Sequence, residues 1–239
     1  IILILTKFYN IMKNFITNSN KDISLEARLK ELLSVSKELK FLVGFFYFSG
    51  LDVLYDSLKN NNDVTLKILV GLDVDVINHQ LIEYSDKVNK NSGLSNEQIY
   101  NNLLASIRKS INTEDFDEEY FYKQINFFID LIKNDRLIIR KTKNPNHAKL
   151  YILKLNKEQH GCNKLFITGS SNLTKPGLIK QEEFNVEIKD YGTDEAETYF
   201  DELWESSIKI TESPEKRKKL IEIIEKETLV REITPFEAY

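Results

Sequence analysis

Residues Phe41-Leu42-Val43-Gly44-Phe45-Phe46-Tyr47-Phe48 form a nearly continuous apolar run, aromatic and β-branched, closed by Ser49-Gly50. A run of this length without alternation reads as a strand buried on both faces, which requires a sheet covered by helices. Leu51 to Leu58 then has helical spacing, and Val64-Thr65-Leu66-Lys67-Ile68-Leu69-Val70-Gly71 reads as a second strand. Two strands joined by a helix make a βαβ unit, for which a right-handed crossover is expected.

The rest of the chain fits the same class. Leu25, Leu29, Leu32, Leu33 and Val35 place apolar groups at mostly helical spacing over 25–38, and residues 95–111 and 116–133 read as two further amphipathic helices. Short strands are predicted at Arg136 to Arg140, His147 to Leu155, Lys164 to Gly169 and Phe184 to Lys189. Helices are predicted at Glu195 to Ile208 and Pro214 to Glu227, the latter with Ser213-Pro214 as cap and first position. The expectation is one α/β domain over 12–232, a sheet flanked by helices, with a helical insert around 76–134. The first residue is Ile and the only methionine is Met12, so two readings stand open: the chain is a fragment, or residues 1–11 are an extension outside the natural domain. The apolar and aromatic stretch 233–239 is expected to begin a linker to a further domain.

A chain of 239 residues can bury one sizeable core, and 41% hydrophobic with 29% charged residues excludes a disordered chain. Cys162 is the single cysteine, so no intramolecular disulfide forms. The opening run Ile1 to Leu5 stops at Thr6-Lys7, far short of the ~18 residues that span a bilayer. A cytoplasmic location is therefore expected. The formal net charge of −4 argues against nonspecific DNA binding by the whole surface. A local basic path still suffices for a nucleic-acid enzyme, because a charged partner responds to the field within a Debye length.

Chemistry concentrates in Asn146-His147-Ala148-Lys149 and Gly169-Ser170-Ser171-Asn172. Residues two apart on a strand share a face, so His147 and Lys149 are expected to project together. An imidazole can attack or shuttle a proton, and an ammonium beside it neutralises a nearby anion. Ser170 and Asn172, at a strand end after Gly169, are donors suited to phosphate oxygens. Glu183, just ahead of the strand Phe184-Asn185-Val186, can accept from one imidazole nitrogen and leave the other for attack. Its neighbour Glu182 leaves open which of the two is a solvated strand-entry charge. Asp73, Asp75 and His79 suit a loop or helix-capping role better than a divalent-ion site. Glu187-Ile188-Lys189 is a common tripeptide that only faintly resembles the end of a metal-dependent nuclease motif.

His147-Ala148-Lys149 followed by Gly169-Ser170-Ser171-Asn172 resembles the HxK…GSxN pattern of the phospholipase D superfamily, and Gln181-Glu182-Glu183-Phe184-Asn185-Val186 is similar to its glutamate-bearing strand. The resemblance implies a phospholipase D-like mixed β-sheet and a phosphodiesterase that needs no metal or other cofactor. His147 would be the nucleophile, giving a covalent phosphohistidine, with Lys149 and Glu183 as catalytic partners and Lys149, Ser170 and Asn172 binding phosphate. The family aspartate five residues after the lysine is here Lys154, which separates this chain from the lipid-hydrolysing members. Only one HxK occurs, since His79 and His160 lack it. The resemblance then implies a homodimer in which two copies of His147 face one phosphate.

Gly44 to Gly50 followed by Lys67-Ile68-Leu69-Val70-Gly71 resembles phospholipase D-like domains at the N-terminus of bacterial helicase-related proteins, and type II restriction enzymes of the superfamily are a second neighbour. Nucleic acid, DNA ahead of RNA, is the expected partner, with a covalently linked helicase and a restriction role as further implications. The alternative is a nucleic-acid-binding module of a helicase or restriction system without turnover. Arg136, Arg140, Lys141 and Lys143 lead into His147 and read either as a phosphate-tracking path or as a solvated face.

Overall fold

The computed structural model describes residues 14–19, 24–72, 94–113, 118–159, 162–189 and 191–232. In chain order these form β1 (Phe15–Thr17), α1 (Leu25–Leu33), β2 (Ser36–Val43), α2 (Phe48–Val53), α3 (Tyr55–Asn60), β3 (Thr65–Val70), α4 (Asn96–Thr113) and α5 (Glu118–Lys133). β4 (Leu137–Lys141), β5 (Leu150–Gln159), β6 (Cys162–Gly169), a π-helical turn at Pro176–Lys180, β7 (Phe184–Ile188), α6 (Thr193–Ser206), β8 (Ile208–Lys209) and α7 (Pro214–Glu232) follow.

The strands join in one mixed sheet of order β1-β7-β6-β5-β2-β3-β4-β8. β2, β3 and β4 run parallel, and the remaining pairs are antiparallel. The βαβ unit is therefore present, and α4 and α5 lie in the connection between the parallel neighbours β3 and β4. This connection is the helical segment expected around 76–134. Its buried Ile99, Leu103, Ile107, Ile125 and Ile129 belong to the main core, so it packs as an integral layer.

Strand alternation divides the core. Leu39, Phe41 and Val43 of β2, with Tyr151, Leu153 and Leu155 of β5, face the cluster that takes in apolar residues of α1 to α5 and α7. Leu42, Leu69, Leu150, Ile152 and Phe166 face the other way, against Phe200 and Trp204 of α6. The apolar run that suggested one long strand is in fact two elements: β2 ends at Val43 and Phe48 opens α2. The chain leaves the sheet at Gly44, and beyond it Phe46 makes only an isolated bridge to Leu173. The predicted strand at His147 likewise begins later, at Leu150, because the Ala148 N–H donates to Asn146 Oδ1 (2.8 Å) instead of to a ladder partner.

Candidate active site

The pairings Leu42↔Leu150, Leu150↔Thr168 and Gly169↔Asn185 put the end of β2, the start of β5, the end of β6 and the start of β7 at one edge of the sheet. There the two motifs meet. Lys149 is buried and His147 is exposed. Lys149 Nζ donates to the His147 carbonyl at 2.8 Å and lies 2.8 Å from Nδ1 and 3.2 Å from Nε2 of its ring. An ammonium only donates, so a ring nitrogen engaged by Lys149 uses its lone pair there.

Asn172 Oδ1 accepts from the Phe45 N–H at 3.0 Å, which fixes the amide plane and leaves its NH2 to donate elsewhere. Gly44 lies between the motifs. A Cβ there would crowd Asn172 Oδ1 at 3.2 Å and lie in ordinary contact with the His147 ring at 3.8 Å. Ser170 Oγ donates to the Glu183 carboxylate and accepts from the Phe184 N–H at 3.1 Å. The structure thus brings His147, Lys149, Ser170, Asn172 and Glu183 to one end of the sheet, with Glu183 engaged by Ser170.

A buried layer beneath these groups was not foreseen. Tyr151 Oη donates to the Ser171 carbonyl at 2.8 Å. Burial, and then the Glu183 charge, push the ionisation of this phenol well above its usual range. Asn185 is fully buried; its Nδ2 donates to Ser171 Oγ at 2.9 Å and its Oδ1 accepts from the Ser171 N–H at 3.4 Å. Together they hold the Gly169–Asn172 turn from below. The available signal was Asn185 itself, a polar residue at an inward position of an apolar strand. Gly71 does the same for the histidine loop. Its hypothetical Cβ would lie 1.8 Å from the Asn146 carbonyl oxygen, and its own carbonyl accepts from the Asn146 N–H at 3.1 Å.

The basic residues ahead of His147 are placed differently from a surface path. Arg140 is buried, bonded to Glu212 and to the Trp204 carbonyl (2.7 Å), with its guanidinium 4.4 Å from the Trp204 ring centre. Lys141 is buried and donates to the Gly71 carbonyl at 3.0 Å, bracing the histidine loop. Arg136 precedes β4 at its far end and donates to the Asn61 carbonyl at 2.8 Å. Only Lys143 of the four is exposed. Glu187 is buried and paired with Arg28 (2.5 and 2.8 Å) and Lys189 (2.8 Å), which hold its carboxylate below the usual range against the cost of burial. Asp73, Asp75, His79 and His160 lie outside the described residues. Among the described residues no group of three or more His, Cys, Asp or Glu stands together to hold a metal ion, and no helix is long and apolar enough to cross a membrane.

Lys154, at the position of the missing aspartate, sits on β5 well past the site. It pairs with Glu197 at 2.5 Å and Glu38 at 3.1 Å. Its charge serves the packing of α6 on the sheet.

No curated protein matches the chain. Among solved structures it is similar to NucT from Helicobacter pylori (13% identity, TM-score 0.39, 76% of this chain and 88% of that one). It is also similar to Nuc from Salmonella typhimurium, a phospholipase D family member (15%, TM-score 0.40, 81% and 93%). A third likeness is to phosphatidylserine synthase from Haemophilus influenzae Rd KW20 (16%, TM-score 0.44, 92% and 47%). The family described as "Cardiolipin synthase, PLD-like domain" matches residues 29–204, a span that holds both motifs and every strand from β2 to β7. With that match over most of its length, and with HxK, GSxN and the glutamate strand meeting at one sheet edge, the chain belongs to the phospholipase D-like domain family.

Proposed function

We propose that this chain is a phosphodiesterase that works without a metal, a nuclease cleaving DNA or RNA through a covalent intermediate on His147. The observation that carries the reading is the His147 ring, exposed at the sheet edge with the Lys149 ammonium 2.8 Å away and Asn172 adjoining it across Gly44. A nucleophile, a fixed cation and amide and hydroxyl donors then converge where a phosphate diester can enter.

In this mechanism a ring nitrogen of His147 attacks phosphorus and the bond to the leaving oxygen breaks. The leaving oxygen takes a proton from His147 of a second subunit. That histidine next deprotonates water, which attacks phosphorus, breaks the P–N bond and restores the imidazole. Lys149 and Asn172 hold the non-bridging oxygens throughout, and Ser170 joins them when its hydroxyl proton turns from Glu183 to the phosphate. Glu183 orients the Ser170 hydroxyl. The single HxK supports a homodimer, because one chain supplies only one of the two histidines.

Cleavage of labelled single- and double-stranded DNA in EDTA tests this directly. Wild type is expected to cut, and His147→Ala to lose at least roughly a thousandfold, as for a removed nucleophile. Cleavage that requires Mg²⁺ and ignores His147 would overturn the mechanism. Binding of DNA without any cleavage would favour a recognition module instead. Sedimentation should show a dimer, and an active strict monomer would rule out the shared site.

A further inference from the structure

Most large apolar side chains of the described residues are buried, and the exposed ones are Phe15, Ile179, Phe184, Tyr191 and Tyr199. Two of these five are bonded into the site. Phe184 is 54% exposed, yet its backbone is tied to Ser170, accepting from the Ser170 N–H at 3.2 Å and donating to Ser170 Oγ at 3.1 Å. Tyr199 is 44% exposed, and its hydroxyl accepts from Asn146 Nδ2 at 3.1 Å, one residue before His147. One ring thus adjoins the phosphate-donor turn and the other adjoins the nucleophile loop.

Both rings lie on the same side of the sheet. Phe184 alternates with the buried Asn185 and shares its face with Ile188, which packs in the cluster under α6, the helix that carries Tyr199. Phe184 is backed by Phe15 of β1, with ring centres 5.5 Å apart and planes tilted by 33°. Phe184 on β7 and Asn146, the residue ahead of β5 that meets Tyr199 Oη, flank the end of β6, where the Gly169–Asn172 turn begins.

We propose that Phe184 and Tyr199 form a base-stacking subsite around the phosphate pocket, so that the substrate is single-stranded nucleic acid held by its bases as well as its backbone. Paired bases in a duplex present no open face to such rings, whereas unpaired bases of any sequence do. The inference rests on the phosphodiesterase reading for its pocket, but it concerns recognition and is read in binding.

The test uses the full chain in a His147→Ala background, titrated with a fluorescent single strand of mixed sequence and with a strand of equal length lacking bases. Phe184→Ala and Tyr199→Ala should each raise Kd for the base-carrying strand by roughly tenfold, and leave the baseless strand unchanged. Phe184→Trp should restore binding and Phe184→Leu should not, since stacking needs a π face. Equal losses on both strands, or no loss on either, would overturn the subsite, as would a protein that binds no single strand. Loss of self-association in Phe184→Ala, with binding intact, would make the patch a subunit interface instead. A wild-type chain that binds in this base-dependent way yet cuts nothing would end the hydrolytic reading and leave the subsite standing.

Discussion

The two faces of the sheet are built on different principles. One is a broad apolar core in which Leu39, Phe41, Leu153 and Ile167 meet apolar residues of six helices. The other is covered by α6, and only its half nearer the candidate site is apolar: Leu42, Leu69, Ile152 and Phe166 under Phe200 and Trp204. Two residues away along each of these strands stands a lysine: Lys40, Lys67, Lys154 and Lys164. Opposite them α6 presents Asp194, Glu197 and Asp201, one helical stripe, and β2 adds Glu38. Glu197 alone meets Lys40 at 2.5 Å, Lys154 at 2.5 Å and Lys164 at 2.8 Å. The first face holds the fold by area removed from water. The second sets the register of one helix by charge, since sliding α6 by a residue would unpair the whole row.

The sharpest way to break the comparison is a pair of truncations. Leu153→Ala, fully buried on the broad face, should cost about 3 kcal/mol of unfolding free energy in a denaturant titration, from lost transfer energy and the cavity left behind. A cost below about 1 kcal/mol would show that this face tolerates voids. Glu197→Gln should cost less, about 1 kcal/mol at neutral pH, because the carboxylate is partly solvated and its gain is screened. If it matched the leucine truncation, the charged row would be a core in its own right.

Acid titration sharpens the difference further. Burial alone would raise the Glu197 carboxyl, but hydrogen bonds from Lys154, Lys164 and Lys40 outweigh it and hold the group at about 2. Its folded value is depressed, so its stabilisation is complete above the ordinary value of 4.5 and is lost as pH falls from there toward about 2. Wild type should therefore lose stability in that window more steeply than Glu197→Gln. Parallel acid profiles would mean that other carboxylates govern the response. Raising NaCl to about 1 M should have the smallest effect, a few tenths of a kcal/mol in wild type and less in the glutamine variant.

Much of the broad face was legible from sequence, because unbroken apolar runs and helical spacing report burial directly. The site motif was legible too, since His147, Lys149, Ser170 and Asn172 lie in short contiguous stretches beside strand signals. The charged face was not. A lysine inside a strand looks like a solvated position until the helix across from it is known, and Asp194, Glu197 and Asp201 are more than a hundred residues from Lys40. Arg140 and Lys141 misled in the same way: as a basic stretch they suggest a path for phosphates, whereas β4 lies between β3 and β8 and turns both side chains to internal partners. Gly44 and Gly71 could be seen as interruptions, but the groups that crowd them come from loops distant in sequence.

The sheet ends in very short strands, three residues in β1 and two in β8. What remains of β4 is met by the segment after β8, where the Ile139 carbonyl accepts from the Ile210 N–H at 3.2 Å and the Ile139 N–H donates to Thr211 Oγ1 at 2.9 Å. On the opposite side the Glu187 N–H donates to the Asn14 carbonyl at 2.7 Å, extending the pairing past β1. Strands this short offer few backbone positions to template another chain. Growth into a ribbon by strand addition is thereby discouraged, which keeps a sheet this wide from seeding fibrils.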